Sequence, residues 1–256
     1  MKLGTVLVTG GSSGLGLAVS AAVAQAGGRP VVLDRQPPPA ASTDGGSNSG
    51  SNSGSNSGSD RGIDGSGSVG ADHVLVDLAD TAAAGRAVED AAVRHGGLDA
   101  VVTAAGIDRC GALDEIAAAD WELVVRVNLL ATAAVVRAAL PHLRRSNGRV
   151  VTVASTLGLR ALPHATAYCA SKFGVVGFTR ALAAETAGEV GVTLLIPGGM
   201  RTAFFDDRPQ QYRPGPDATL NRPRDVAAAV IFALAQPAGC ELRELTVCPS
   251  TEPSWP

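Results

Sequence analysis

Tyr168 and Lys172, in the run Tyr-Cys-Ala-Ser-Lys, are the residues that most clearly invite chemistry. The 256-residue chain contains only two lysines and two tyrosines, and its remaining basic residues are all arginine or histidine. A spacing of four on a helix puts both side chains on one face. At these frequencies the coincidence arises by chance about one time in sixty. A free phenol titrates near pH ~10 and is a poor base at neutral pH. A neighbouring ammonium stabilises the phenolate and lowers that value, and a positively charged nicotinamide acts in the same direction. Such a phenol can trade a proton with an alcohol or carbonyl oxygen while hydride moves to or from the nicotinamide. Arginine would substitute poorly, because it cannot join a proton relay near neutral pH.

Two further residues fit the same chemistry. Ser155 ends the apolar run Val-Thr-Val-Ala-Ser. Its hydroxyl can orient a substrate oxygen, or simply serve the turn that follows. Asn128 lies among Val127, Leu129 and Leu130. A buried Asn must satisfy its polar groups, either as a structural hydrogen-bonding post or by holding a relay water.

The run Thr9-Gly10-Gly11-Ser12-Ser13-Gly14-Leu15-Gly16 has the composition of a phosphate cradle. Its spacing is GxxxGxG, not GxGxxG. Glycines let the backbone turn sharply and approach a pyrophosphate, and a following helix supplies free N–H groups and a favourable dipole. Asp34 ends Val31-Val32-Leu33-Asp34. A carboxylate there can accept from both adenosine ribose hydroxyls and would repel a 2′-phosphate, which favours NAD over NADP. Arg35 next door complicates this, since an arginine could pair with such a phosphate.

These residues need a scaffold, and the chain has the pattern of one. Strands are expected at Thr5–Thr9, Pro30–Asp34, His73–Asp77, Leu98–Thr103, Gly148–Ala154, Val192–Ile196 and Leu242–Cys248. Helices are expected at Gly14–Ala26, Thr81–His95, Asp120–Leu140, Ala165–Ala187 and Arg222–Ala235. The strands are continuous Val/Leu/Ile runs, which suits a parallel sheet covered on both faces. Strand–helix alternation over the whole length predicts a doubly wound, Rossmann-like α/β sheet of about seven strands in one domain. Residues 36–72 break the rhythm with three consecutive prolines and a repeated Ser-Asn-Ser-Gly. That composition reads as a low-complexity, disordered insertion in the place of a crossover helix.

Composition narrows the function classes. Net charge is −3, which gives no footing for nucleic-acid binding. The best membrane-span candidate, 123–140, carries Arg126, Asn128 and Arg137, so no membrane is expected. The N-terminus lacks the apolar core of a signal peptide, and a cytoplasmic protein is expected. Four cysteines form no CxxC and four histidines no HxxxH, so no metal is expected.

Taken together these pieces resemble the short-chain dehydrogenase/reductase family in its single-domain form. The matching runs are TGGSSGLG at 9–16, Asp77 in VDLAD, TAAG at 103–106, Asn128 in VNL, Ser155, YCASK at 168–172, and Pro197-Gly198 with Thr202. They occur in family order, with Ser155 thirteen residues before Tyr168. The resemblance implies that Tyr168 is the proton donor and acceptor. By the same resemblance Lys172 lowers its pKa and holds the nicotinamide ribose, Ser155 positions the substrate oxygen, and Asn128 holds a relay water. It implies that Gly10, Ser12, Ser13, Gly14, Leu15 and Gly16 line the pyrophosphate. Asp34 takes the adenosine ribose, Asp77 and Leu78 border the adenine, and Ala105 and Gly106 back the cofactor. Pro197, Gly198 and Thr202 meet the nicotinamide carboxamide.

The resemblance also implies a small-molecule alcohol or carbonyl substrate, a homodimer or homotetramer, and a mobile substrate lid at 199–221. Three arginines in that lid (201, 208 and 213) hint at an anionic substrate, although a solvated loop would read the same way. Thr103 stands where the family usually has Asn, for which a modest stability effect is expected. The tail's Trp255 either packs across a subunit interface or frays. The leading expectation is an NAD-dependent alcohol dehydrogenase or ketone reductase. The alternatives are an NADPH-dependent 3-oxoacyl-carrier-protein reductase and a non-catalytic dinucleotide-sensing or scaffold protein.

Overall fold

The computed structural model describes residues 3–37 and 70–255. Seven parallel strands form one sheet: β1 Thr5–Thr9, β2 Arg29–Asp34, β3 Asp72–Leu75, β4 Ala100–Thr103, β5 Arg149–Val153, β6 Gly191–Pro197 and β7 Glu244–Val247. The spatial order is β3-β2-β1-β4-β5-β6-β7. The order reverses at β1, which pairs with both β2 and β4. A reversal of this kind leaves a crevice at the carboxyl ends of the strands, where ligands bind in open α/β sheets.

Alternating strand residues feed two cores. Leu7, Val31, Leu33, Val101, Val150 and Val192 pack under α2 (Thr81–His95) and α4 (Ala131–Ser146). Val6, Val8, Val102, Val151, Val153 and Leu195 pack under α1 (Gly14–Gln25) and α6 (Pro223–Leu234). Both faces of the central strands are therefore dry, which is why their sequences show no polar alternation. Asp80 caps α2 by accepting from the Ala83 N–H at 2.9 Å, and Gly96 ends that helix at φ 74°. The left-handed conformation there suits glycine.

Several boundaries move relative to the sequence reading. The insertion expected at 36–72 ends sooner, because Asp72 is the first residue of β3, paired with Val31. It also begins later, because Gln36 is hydrogen-bonded into the site described below. Residues 38–69, which hold the rest of the insertion and the expected loss of the crossover helix, lie outside the described residues. The helix expected over 120–140 is α3 (Ala118–Val125), a π-helical turn (Arg126–Leu130) and α4. It runs past Pro141 to Ser146 because Leu143 is fully buried and anchors the last turn, while Arg137, whose carbonyl loses its partner to the proline, is exposed. By length and composition the joined helix 118–146 could cross a membrane. Here its Val135, Val136, Ala139 and Leu143 are buried core residues that pack against the sheet. The remaining helix, α5, spans Thr166–Glu185.

Candidate active site

The loop after β1 is shaped by steric exclusion. Gly10 sits at φ +68°, and a Cβ there would lie 2.8 Å from the Ala105 Cα. A Cβ on Gly16 would lie 2.2 Å from the Gly10 carbonyl oxygen, and one on Gly11 would meet the Val32 methyls at 2.7 Å. Gly11 was not singled out from the sequence. Its role is to let α1 lie close on β2. Gly14 (φ +50°) opens α1 against the Thr202 methyl. Ser13 is the N-cap of α1, yet its exposed side chain makes no capping hydrogen bond. The hydroxyl and the first-turn amides are thereby left for an anion.

Asp34 closes this loop from the end of β2. Its two carboxylate oxygens accept the Ser12 N–H at 3.0 Å and the Gln36 N–H at 3.1 Å. The Ser12 hydroxyl donates to the Gln36 carbonyl at 2.7 Å. Asp34 is therefore both a loop brace and a half-buried carboxylate at the crevice rim. Asp77 is exposed and uses one oxygen to accept the Ala79 N–H, while Leu78 is buried in the core beside it. Ala105 donates its N–H to the Thr9 hydroxyl at 3.2 Å.

The second half of the site comes from β5, α5 and the π-helical turn. A 3-10 turn, Thr156–Gly158, follows Ser155 and packs on α5 so closely that a Cβ on Gly158 would stand 2.8 Å from the Lys172 carbonyl oxygen. This contact brings Ser155, whose hydroxyl accepts the Leu157 N–H at 3.1 Å, close enough to Tyr168 to act on the phenol. Gly158 went unnoticed in the sequence because its requirement is set by Lys172 in α5, fourteen residues away. The Lys172 Nζ donates to the Val153 carbonyl at 2.9 Å and lies 5.6 Å from the Tyr168 ring centroid. A Cβ on Gly106 would be 3.6 Å from both this Nζ and the Asn128 Oδ1. Since Gly10 abuts Ala105, the Tyr–Lys pair and the glycine loop open on one crevice.

Burial governs the charges here. The Tyr168 phenol is pushed up to about 12, chiefly by desolvation, with the nearby Ser155 hydroxyl pulling against it. Lys172 is pushed down to about 8, again chiefly by desolvation. The direction for Tyr168 is opposite to that expected from the Tyr–Lys spacing alone. Removal of both groups from water outweighs their proximity.

Asn128 is fully buried, and its side chain is fully engaged. Its Oδ1 accepts the Ile107 N–H at 2.8 Å, and its Nδ2 donates to the Ile107 carbonyl at 2.9 Å and to the Ser171 hydroxyl at 3.0 Å. These bonds match the structural reading of this residue, and they leave no side-chain donor for a relay water. Its backbone carbonyl, in the π-helical turn, accepts the Thr132 hydroxyl. Such turns recur at functional sites.

Pro197 ends β6 and Gly198 follows it, and Thr202 caps the next 3-10 turn by accepting the Phe204 N–H at 3.3 Å. The C-terminal tail reaches them. Glu252 accepts the Gly199 N–H at 2.8 Å, and its second oxygen accepts from the Ser254 hydroxyl. Ser254 in turn bonds the Thr156 hydroxyl, and Arg160 donates to the Pro253 carbonyl. The tail is thus tied at 252–254, while Trp255 is 39% exposed. Sequence reading missed Glu252, and a lone carboxylate in a Pro/Ser tail carries no signal. Of the lid arginines, Arg208 pairs with Asp108, and Arg213 donates to the carbonyls of Arg208 and Asp206. His164 is exposed at φ 60° and stacks near Tyr212. Among the described residues no three His, Cys, Asp or Glu side chains converge as a metal site.

A parallel sheet that reverses at β1, a glycine loop sealed by an acidic strand end, and a buried Tyr–Lys pair across the crevice define a nicotinamide-dinucleotide oxidoreductase. The chain belongs to the short-chain dehydrogenase family, whose model matches residues 62–213. It is 34% identical over 200 residues to a putative short-chain type dehydrogenase/reductase of Mycolicibacterium smegmatis, covering 69% of this chain and 70% of the relative. It is 29% identical over 233 residues to a 3-oxoacyl-acyl-carrier-protein reductase of Thermotoga maritima, covering 88% of each. Among solved structures, a short-chain dehydrogenase from Burkholderia cenocepacia in complex with NADP superposes with TM-score 0.75 at 25% identity, over 97% of both chains. The seven-stranded Rossmann-like fold and the enzyme class expected from the sequence are both met.

Proposed function

We propose that the protein interconverts an alcohol and a ketone or aldehyde at the expense of NAD(H), with Tyr168 as general acid and base. The observation that carries this reading is the buried Tyr168–Ser155–Lys172 cluster opening on the glycine loop's crevice. The cradle fits a dinucleotide, since the Ser13 hydroxyl makes no capping bond at the start of α1, the first-turn amides have no intrahelical acceptor, and Gly10 and Gly16 keep the loop tight because a Cβ there would strike backbone. When bound, the nicotinamide supplies or accepts the hydride.

Each residue then has a task. The amides of Gly14, Leu15 and Gly16 and the Ser13 hydroxyl meet the pyrophosphate, with Gly10 and Ser12 shaping the turn. Asp34 accepts from the adenosine ribose, Asp77 and Leu78 border the adenine, and Ala105 and Gly106 line the floor. Pro197, Gly198 and Thr202 bound the carboxamide end. Tyr168, protonated at neutral pH, donates its proton to the carbonyl oxygen on reduction and takes it back on oxidation. Ser155 holds that same oxygen. Lys172, with a pKa about 8, is mostly cationic at pH 7 and opposes negative charge building on the phenol. Asn128 positions the Ile107 peptide beside them. In this reading the chain is one catalytic domain, works in the cytoplasm, and assembles as a homodimer or homotetramer.

The second reading, an NADPH-dependent 3-oxoacyl-carrier-protein reductase, is favoured by the Thermotoga relative, by the NADP in the Burkholderia structure and by Arg35. Asp34 opposes it, because a carboxylate at the ribose repels a 2′-phosphate. Hydride transfer measured with NADH and NADPH side by side, over a panel of alcohols and ketones, separates the two. The expected result is a preference for NADH. A strong preference for NADPH would overturn the role given to Asp34.

A further inference from the structure

Arg208, on the loop after β6, is bound in an unusual way. Its Nη2 lies 2.8 Å from the Asp108 Oδ2, with the two side chains 15% and 3% exposed. The guanidinium carbon stands 5.0 Å from the Phe204 centroid and 4.6 Å from that of Phe205. Phe204 in turn packs 5.7 Å, centroid to centroid, from the Tyr168 ring. The partner carboxylate is a fixed point. Asp108 follows Ile107, whose N–H and C=O are both held by Asn128, and Asp108 also accepts from the Arg109 N–H and the Cys110 thiol. Asn128, Ile107, Asp108, Arg208, Phe204 and Tyr168 therefore form one chain of contacts across the mouth of the crevice.

Stability alone does not account for this pair. Burying two charges costs about as much as their attraction returns, and here the buried Arg208 Nε has no partner among the described residues. What the pair does fix is register. It joins the segment after β4 to the loop after β6, one hundred positions apart in sequence, over the reacting phenol.

Resting on the oxidoreductase reading above, we propose that Asp108 and Arg208 are positioning residues that latch the 201–213 loop over Tyr168 and set the substrate class. With Arg208 neutralised by Asp108, Arg213 spent on backbone carbonyls and Arg201 exposed at the start of the loop, the wall beside Tyr168 is the Phe204 ring. The closed site takes neutral carbonyl compounds or alcohols bearing an apolar or aromatic group, and it discriminates against carboxylate-bearing ones. This replaces the anionic substrate hinted at by the arginine count.

The test has two arms. In the first, chymotrypsin is added to the protein without substrate, and cleavage at Phe204, Phe205 and Tyr212 is timed. Arg208→Met and Asp108→Asn should be cut about 10-fold faster than wild type, with Arg208→Lys in between. In the second, kcat and KM are compared for a neutral aryl ketone and a 3-oxo acid. Arg208→Met should raise KM for the ketone about 10-fold more than it lowers kcat. The double variant should be no worse than Arg208→Met alone. Asp108→Asn should uncover Arg208 and shift the kcat/KM ratio about 10-fold towards the 3-oxo acid. The charged and titratable groups around the phenol are Lys172, Cys169, Asp108 and Arg208. Losing the Asp108 charge should therefore move the Tyr168 limb of the pH profile down. Unchanged cleavage, additive single variants, or a wild type preferring the 3-oxo acid would overturn the latch. If wild type turns over nothing, the oxidoreductase reading fails, and the cleavage arm still decides whether the latch exists.

Discussion

On the β1 side of the crevice the site is made of backbone, whereas on the β6 side it is made of side chains reaching across the chain. The loop at 9–16 owes its shape to positions where a single Cβ would strike backbone at 2.2–2.8 Å. The loop after β6 is held by Asp108 on Arg208, Phe204 on Tyr168 and Glu252 on the Gly199 N–H. The first region tolerates almost no change of residue but suits any dinucleotide of the right charge. The second can be re-specified by one substitution at a time. A family with one cofactor chemistry and many substrates needs that division.

The sharpest way to break the comparison is at Gly16. Gly16→Ala forces a methyl into the Gly10 carbonyl and should weaken dinucleotide binding 100-fold or more, about 3 kcal/mol, as read by NADH fluorescence titration. Near-normal binding would show that the loop is not held by sterics. A smaller effect separates the buried charges from both loops. Lys172 has a depressed pKa, about 8 against an ordinary 10.5. Its stability contribution is therefore complete above pH 10.5 and is lost as pH falls through 8. Denaturant unfolding of wild type should gain on Lys172→Met between pH 8 and 10.5, by at most about 3 kcal/mol. A pH-independent difference would mean that Lys172 is not desolvated. The smallest effect is at Thr103, whose buried hydroxyl has no hydrogen-bond partner among the described residues. Thr103→Val should be neutral or stabilising by up to about 1 kcal/mol, measured by the same unfolding, and a clear loss would reveal a partner for that hydroxyl.

The same division explains what the sequence made legible. The glycine loop, Asp34 and the Tyr–Lys pair are local patterns, in which i to i+4 spacing or a strand-to-helix turn already states the geometry. The sheet was legible because its central strands are nearly continuous apolar runs, whereas the edge strands β3 (Asp-His-Val-Leu) and β7 (Glu-Leu-Thr-Val) are only partly buried. The continuation of α4 beyond Pro141 was not, because tertiary burial of Leu143 overrode a local breaker. The direction of the Tyr168 shift was not either. Spacing reports proximity to an ammonium, but only packing reports that both groups lose their water. Asp108, Glu252 and Gly158 act on partners brought to them by the fold, and no window of sequence holds both members.

The central claim is that one buried phenol exchanges the proton while the dinucleotide is held by other residues. Tyr168→Phe removes a single oxygen from the ring and leaves the glycine loop untouched. NADH-linked turnover should fall by about 10²- to 10⁴-fold, while NADH binding to the same variant, read by fluorescence, stays within a few-fold of wild type. Turnover that survives this substitution, with binding intact, would contradict the account.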